Sequence, residues 1–185
     1  VCISVDTSTA RVMRETAACG IDLINDVRAL QREGALVAAK ETGLPVCLMH
    51  MQGEPATMQN RPQYENVVDE VREFFQERIV TCAAAGIDLD KILLDPGFGF
   101  GKSIEHNLSL INQLDQYQEL GCPLLVGLSR KSTNTRLLGD SSGAALTGSL
   151  VGAVWAFQKG AKILRVHDVA ETRWALQMAG YLSNS

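Results

Sequence analysis

Six short apolar runs punctuate the chain: Val1–Val5, Ile21–Ile24, Pro45–His50, Ile92–Asp95, Pro123–Leu128 and Lys162–Val166. None alternates apolar with polar residues. Continuous apolar runs of this length predict strands covered on both faces, which is the signature of a parallel sheet. Longer amphipathic stretches lie between them. Val67, Val68, Val71, Phe74, Phe75, Ile79 and Cys82 recur at spacings of three and four and predict a helix. Leu108, Ile111 and Leu114 form a second helical stripe, and Leu146, Leu150, Val151 and Val154 a third. Ser8 or Thr9 can cap the first helix, and Gly20 can close it in a left-handed turn. Gly43-Leu44-Pro45, Gly86, Gly121-Cys122-Pro123 and Gly160 punctuate the other returns from helix to strand.

Repeated βα units give an all-parallel α/β architecture. Two forms are open at this point: a doubly wound open sheet, or a (β/α)8 barrel. A closed barrel takes eight units, so a barrel leaves two of them unaccounted for. No linker or low-complexity stretch divides residues 1–185, which read as one domain. The longest connections, Met51–Gln63 and Pro96–Glu105, both follow the carboxyl end of a strand.

Composition narrows the classes. The 185 residues are 46% hydrophobic, 21% charged and only 5% aromatic, as suits a soluble domain with an aliphatic core. A net charge of −4 argues against the broad basic face of a nucleic-acid binder. No apolar run approaches the ~18–20 residues of a membrane span. The five cysteines (Cys2, Cys19, Cys47, Cys82, Cys122) are widely spaced among apolar neighbours, without C-x-x-C, and predict reduced core thiols of a cytoplasmic protein. His50, His106 and His167 lack zinc-site spacing. The chain opens Val1-Cys2-Ile3-Ser4-Val5, inside an apolar run and without signal-peptide shape, as a piece of something longer would.

Ligands of parallel α/β folds bind at the carboxyl ends of the strands. Here those ends carry Asp6, Asn25-Asp26, Met49-His50, Asp95, Ser129-Arg130-Lys131-Ser132, and Arg165 with His167. Helix capping accounts for Asp, Asn or Ser, but not for Lys131, Arg165 or His167. Carboxylates at Asp6 and Asp95, an amide at Asn25 and an ammonium at Lys131 suit a flat polar heterocycle, because a carboxylate accepts two parallel N–H bonds from an amino-pyrimidinone edge. Arg165 and His167 suit a phosphate-type anion. The segment Asp95-Pro96-Gly97-Phe98-Gly99-Phe100-Gly101-Lys102-Ser103 ends like a P-loop, yet Pro96 stands where that motif needs Gly. It reads instead as a flexible loop whose Phe residues wall an apolar pocket, with Lys102 a loop charge. Trp155 and Trp174 read as outer packing, His50 and His106 as structural or exposed, and Asp26 and Asp168 as residues that orient neighbours.

Several motifs stand in order: Ser4-Val5-Asp6-Thr7-Ser8, Ile24-Asn25-Asp26-Val27, Leu48-Met49-His50-Met51, Leu93-Leu94-Asp95-Pro96-Gly97-Phe98-Gly99-Phe100-Gly101-Lys102, Gly127-Leu128-Ser129-Arg130-Lys131-Ser132 and Arg165-Val166-His167-Asp168-Val169. Together they resemble the bacterial dihydropteroate synthase family along the whole chain. The resemblance implies a TIM barrel, (β/α)8, of which strands and helices 3–8 are present. It implies transfer chemistry in folate synthesis: 6-hydroxymethyl-7,8-dihydropterin diphosphate and p-aminobenzoate give dihydropteroate and diphosphate through a dissociative pterin cation, and sulfonamides target the step. By the same resemblance the catalytic set is Asp6, Asp95, Lys131 and Arg165, with Asp6 and Asp95 buried beside the developing cation. The pterin would meet Asp6, Asn25, Met49, Asp95, Lys131 and Arg165. Diphosphate would meet Arg165 and His167, and p-aminobenzoate would meet Phe100, Lys131 and Ser132. Mg2+ would be held by an Asn in an N-terminal part that this sequence does not contain, and pairing into a homodimer is implied. Thr133-Asn134-Thr135 departs from the family's apolar pair and Gly, which predicts an altered start to that helix. The competing functions are a pterin-binding methyltransferase domain and a non-catalytic pterin-binding fragment.

Overall fold

The structure is a computed structural model that describes residues 1–53, 62–139 and 141–183. Each of the six apolar runs overlaps a strand. In chain order the elements are β1 (Ser4–Asp6), α1 (Ala10–Ala18), β2 (Leu23–Asp26), α2 (Ala35–Thr42), β3 (Val46–Met49), α3 (Val67–Ala84) and β4 (Ile92–Asp95). They continue as α4 (Ile104–Asn112), β5 (Leu124–Val126), α5 (Ser132–Leu138), α6 (Ser142–Gln158), β6 (Ala161–Leu164) and α7 (Val169–Ser183). Most of the connection Met51–Gln63 lies outside the described residues.

All strand pairs are parallel, and the sheet order is β1-β2-β3-β4-β5-β6. A doubly wound sheet must reverse its strand order at a switch point. This one never reverses, so its winding is that of a barrel. Residue parity shows the two faces. Ile24, Val46, Leu48, Ile92, Leu94, Leu124 and Val126 join the large core that includes Met13, Ala38, Phe75, Leu110 and Tyr117 from the helical layer. The opposite face carries a small separate cluster of Cys47, Leu93 and Leu125 with Leu23, and no helix residue belongs to it. Helices therefore cover one face only, and the other faces the barrel interior.

The best periodic stretch forms α3. Asn66 caps it, its side chain accepting from Val68 N at 3.0 Å, and Val67, Val68, Val71, Phe75 and Cys82 are buried. Two other stripes shift. On α4 the buried residues are Asn107 and Leu110, Leu108 is exposed, and Leu114 belongs to the following 3-10 segment Leu114–Leu120. On α6 Ser149, Ala153 and Ala156 face inward while Val151 is exposed. Small residues there let the helix lie close to its neighbours, so bulk marks the wrong stripe. Thr9 occupies the N-cap of α1 without a side-chain cap bond, and Ser8 instead donates to Asp26. Gly20 does adopt the left-handed turn, at φ +87°. Cys47, Cys82 and Cys122 are buried, but Cys2 and Cys19 are exposed, which corrects the all-core expectation.

Candidate functional site

Strand parity builds the site. Asp6, Asn25, Met49 and Asp95 share the inner face with Cys47, Leu93 and Leu125, because Asp6 pairs with Asn25, Asn25 with Cys47, and Met49 with Asp95. Arg165 continues the same parity two residues beyond Ile163, the partner of Leu125. Asp26 points the other way. Its carboxylate takes the Ser8 hydroxyl and the backbone N–H groups of Arg28 and Leu30, at 2.9 Å each, so it orients the loop after β2 as expected.

Across the inner face Asn25 Nδ2 donates to Asp6 Oδ2 at 3.2 Å, and Arg165 stands 3.9 Å from the same oxygen. Asn25 Oδ1 is buried with no hydrogen-bond partner. Asp6 is not buried: half of its side-chain surface is exposed, because β1 is the last strand of the sheet on its side. Asp95 is 7% exposed and pairs with no cation within 4 Å among the described residues. Its Oδ1 accepts from Gly97 N at 2.8 Å. Burial pushes the Asp95 carboxyl up to about 6, against the pull of that N–H and of Lys102, Lys131 and Arg165.

The loop after β4 is tied down rather than free, which corrects the expectation of a flexible segment. Asn107 accepts from Gly99 N at 2.8 Å and donates to Ser103 O at 2.6 Å. Tyr64 donates to Gly101 O at 3.0 Å. Gly97 and Gly101 have positive φ, and a Cβ there would fall 1.9 Å from His50 O and 2.3 Å from Gln52 O. Two backbones touch at these points, and only glycine fits. Lys102 is 3% exposed, so it is no loop charge. Its ammonium meets His50 Nδ1 at 2.9 Å and the carbonyls of Phe100, Gly97 and His50 at 3.0, 3.1 and 3.3 Å. Burial pushes Lys102 down to about 7, while the Asp95 carboxylate pulls it back up.

His50 is structural, as expected, and its ring packs edge-on against Phe74. Burial first, then the Lys102 charge, lowers it to about 3. Folded His50 thus resists a proton that unfolded His50 accepts below about 6.5. Its stability contribution is present above that pH and is lost as pH falls toward 3. Acidification is expected to remove about 3–5 kcal/mol through this group. His50→Asn keeps an acceptor for Lys102 and removes the titration, so urea unfolding of that variant should vary less between pH 7 and pH 4. Equal pH dependence would contradict this.

The cationic side is built by the loops after β5 and β6. Lys131, at the N-cap of α5, lies 4.3 Å above the Phe100 ring, and burial lowers its pKa. Lys131, Arg165 and His167 line one cavity of about 410 Å3 with Ser129. His167 Nδ1 lies 2.9 Å from Ser129 Oγ, which also accepts the His167 N–H at 3.1 Å. Arg130, at φ +53°, grips Asp168 with two bonds of 2.6 and 3.0 Å. Asp168 therefore orients Arg130, as expected. Ser132 is exposed at the first turn of α5. Asn134 is spent internally, donating to Leu128 O at 3.2 Å. Phe98, Leu137, Leu138, Val151 and Trp155 line an adjoining apolar cavity of about 490 Å3. Of the sequence-predicted residues, Asp6 meets both Asn25 and Arg165, Phe100 meets Lys131, and His167 meets Ser129. Met49 lies buried beside them. Lys102 and Asn107 went unrecognised in the sequence. The signal for Asn107 was a polar residue on the helical stripe, four after Ser103.

Fold and strand-end chemistry together define an α/β-barrel protein with polar and charged side chains gathered at the carboxyl ends of its strands. The chain belongs to the family described as pterin binding enzymes, whose model matches residues 1–167. It is 54% identical to dihydropteroate synthase of Escherichia coli K12 over 176 residues, which is 95% of this chain and 62% of that protein. The Haemophilus influenzae dihydropteroate synthase is 54% identical over 92% of this chain and 62% of its own length. The chain thus spans 62% of the length of these curated relatives. Among solved structures, Yersinia pestis dihydropteroate synthase in a sulfonamide drug complex superimposes with a TM-score of 0.96 at 49% identity, covering all of this chain and 67% of that one. Xanthomonas albilineans dihydropteroate synthase in complex with 7,8-dihydropteroate gives 0.92 at 44% identity, covering 100% and 70%. These matches agree with a partial TIM barrel. No described helix is long and apolar enough to cross a membrane.

Proposed function

We propose that this chain forms the pterin and p-aminobenzoate site of a dihydropteroate synthase, which joins 6-hydroxymethyl-7,8-dihydropterin diphosphate to p-aminobenzoate and releases diphosphate. The observation that carries this proposal is the unpartnered, buried Asn25 Oδ1 on the same inner face as the buried Asp95, which forms no ion pair among the described residues. A buried polar atom without a partner costs about 1–3 kcal/mol. A heterocycle edge that offers N–H donors removes that cost at Asn25 and gives the Asp95 carboxylate donors beyond the Gly97 N–H it already accepts. Asp6, Asn25, Met49 and Asp95 would hold the pterin edge and floor, with Lys131 on its oxygen and ring nitrogen. Arg165 and His167 would take the diphosphate. Phe100, Lys131 and Ser132 would take p-aminobenzoate.

The chemistry follows from the charges. Above about pH 6 Asp95 is a carboxylate in a low-dielectric site with no ion-pair partner among the described residues. Positive charge that develops on the pterin as the C–O bond to diphosphate breaks would become its counter-charge, and such preorganised electrostatics act most strongly where water is excluded. Asp6 would assist from its wetter position, while Arg165 and His167 neutralise the leaving diphosphate. The amine nitrogen of p-aminobenzoate then forms the new C–N bond and gives up a proton. Mg2+ is implied by the resemblance, but the described residues bring together no three His, Cys, Asp or Glu that could hold it.

Diphosphate release, measured with and without p-aminobenzoate, tests the assignment. Release that depends on p-aminobenzoate supports the synthase. Pterin binding without release supports a non-catalytic fragment. Methyl transfer in place of release supports the methyltransferase alternative, which leaves the Lys131–Arg165–His167 cluster without a role. Lys131→Ala is expected to weaken binding of 6-hydroxymethylpterin by at least about tenfold, since hydrogen bonds to a charged group contribute roughly 1.5–3 kcal/mol. Unchanged affinity by calorimetry would remove Lys131 from the site. Homodimer formation is supported by the exposed Val151 and Trp155 of α6 and Trp174, Met178 and Tyr181 of α7. The five free thiols are consistent with the cytoplasm.

A further inference from the structure

We propose that Lys102 is a positioning residue that sets both arms of the site at once, Asp95 on one side and Phe100 with Lys131 on the other. This rests on the synthase assignment above for its meaning in the reaction. Lys102 itself is enclosed and cannot reach a substrate. Its influence runs through the two peptides it grips. Gly97 is held by its carbonyl on Lys102 and delivers its N–H to Asp95 Oδ1. Phe100 is held by its carbonyl on Lys102 and presents its ring beneath the Lys131 ammonium.

The other end of the clamp is His50. Its backbone N–H donates to Asp95 O at 2.9 Å, so it is fixed to the end of β4, and its ring nitrogen and carbonyl both face Lys102. Among the described residues Lys102 Nζ meets three carbonyls and His50 Nδ1, which accepts when the ring carries its proton on Nε2. An ammonium with three N–H donors matches that cage, whereas a neutral amine offers two and turns a lone pair toward it. This cage favours the charged amine against the burial that lowers Lys102 to about 7, and a charged Lys102 favours the ionised Asp95 carboxyl. Burial raises Asp95 and lowers Lys102, and each charge pulls the other back toward its ordinary value.

The test reads Asp95 directly. Carbon-13 NMR of the aspartate carboxyls, with Asp95→Asn identifying the signal, follows its titration in the wild-type chain and in Lys102→Met and Lys102→Gln. Gln keeps two N–H donors for the carbonyl cage but no charge, which guards against a Met variant that does not fold. The Asp95 midpoint is expected to rise by about one pH unit in a folded variant. Calorimetry with 6-hydroxymethylpterin should show affinity reduced about twofold at pH 7, close to tenfold near pH 5, and regained by pH 8.5, as Asp95 ionises again. An unchanged Asp95 midpoint in a folded variant overturns the proposal, even if pterin affinity drops, because a merely structural role would produce that drop alone. If the wild-type chain binds no pterin, the synthase assignment fails, while the Asp95 titration still decides the role of Lys102.

Discussion

Asp95→Asn is expected to cut turnover by about a hundredfold to a thousandfold and, above pH 6, to make the protein more stable. Both effects come from the buried charge. In the reaction proposed here the carboxylate is the counter-charge of the forming pterin cation, and loss of one preorganised electrostatic partner costs roughly 10²–10³ in rate, more when no water can replace it. Stability moves the opposite way. The folded carboxyl titrates near 6, above its ordinary 3.8, so the folded state favours the protonated form. Asp95 therefore supports folding below about pH 3.8, and that support is lost as pH rises through 6. At pH 7 the penalty is at most about 3 kcal/mol. Asn relieves part of it and still accepts the Gly97 N–H, but it removes the charge that balances Lys102. The expected gain is about 1–2 kcal/mol at pH 7.5 and near zero at pH 4, read by urea unfolding at both. A wild-type rate of diphosphate release, or a stability difference independent of pH, would refute the account.

Gly97→Ala is expected to be the most damaging single methyl in the loop after β4. The added carbon would sit 1.9 Å from His50 O and 3.3 Å from the Met49 side chain. His50 O cannot retreat, because the residue is bonded through its N–H to β4 and its carbonyl faces Lys102. The positive φ of +69° adds strain of its own. The loop must move away from β3, which withdraws the N–H from Asp95 and the Gly97 carbonyl from Lys102. A loss of about 3–5 kcal/mol is expected, together with loss of pterin binding. Gly20→Ala is the control. Its φ is +87°, but nothing lies within 4 Å, so only the backbone cost of about 1 kcal/mol should appear. Equal denaturation midpoints for the two variants would show that the close approach at Gly97 does not matter.

The legible parts of the sequence were those where one residue type answers to one local rule. Apolar runs located six strands, and Gly20 located a helix end. The helix over Val67–Ala84 showed its period plainly because its buried side is made of large residues. On α6 the same rule failed, since Ser149, Ala153 and Ala156 are buried for their small size. The site was legible at the strand ends, where Asn25, Asp95 and Arg165 interrupt apolar runs. The expected burial of Asp6 fails because exposure depends on what lies beside β1, the last strand on its side. Lys102 was illegible for a different reason: a lysine in a glycine-rich loop is ordinarily solvated, and only the meeting of two loops encloses it.

Asn25 and Asp26 stand back to back on β2, one facing the pocket and the other bonded to Ser8 and the backbone of the next loop. A slip of one residue in this strand exchanges them. It would place a second carboxylate beside Asp6 and leave Ser8 and Leu30 facing an amide that lacks a charge. Ligand recognition and scaffold thus share a single reading frame. Surface turns of this protein can absorb insertions and deletions, but β2 can tolerate replacement only, and each position only by a residue suited to its own side.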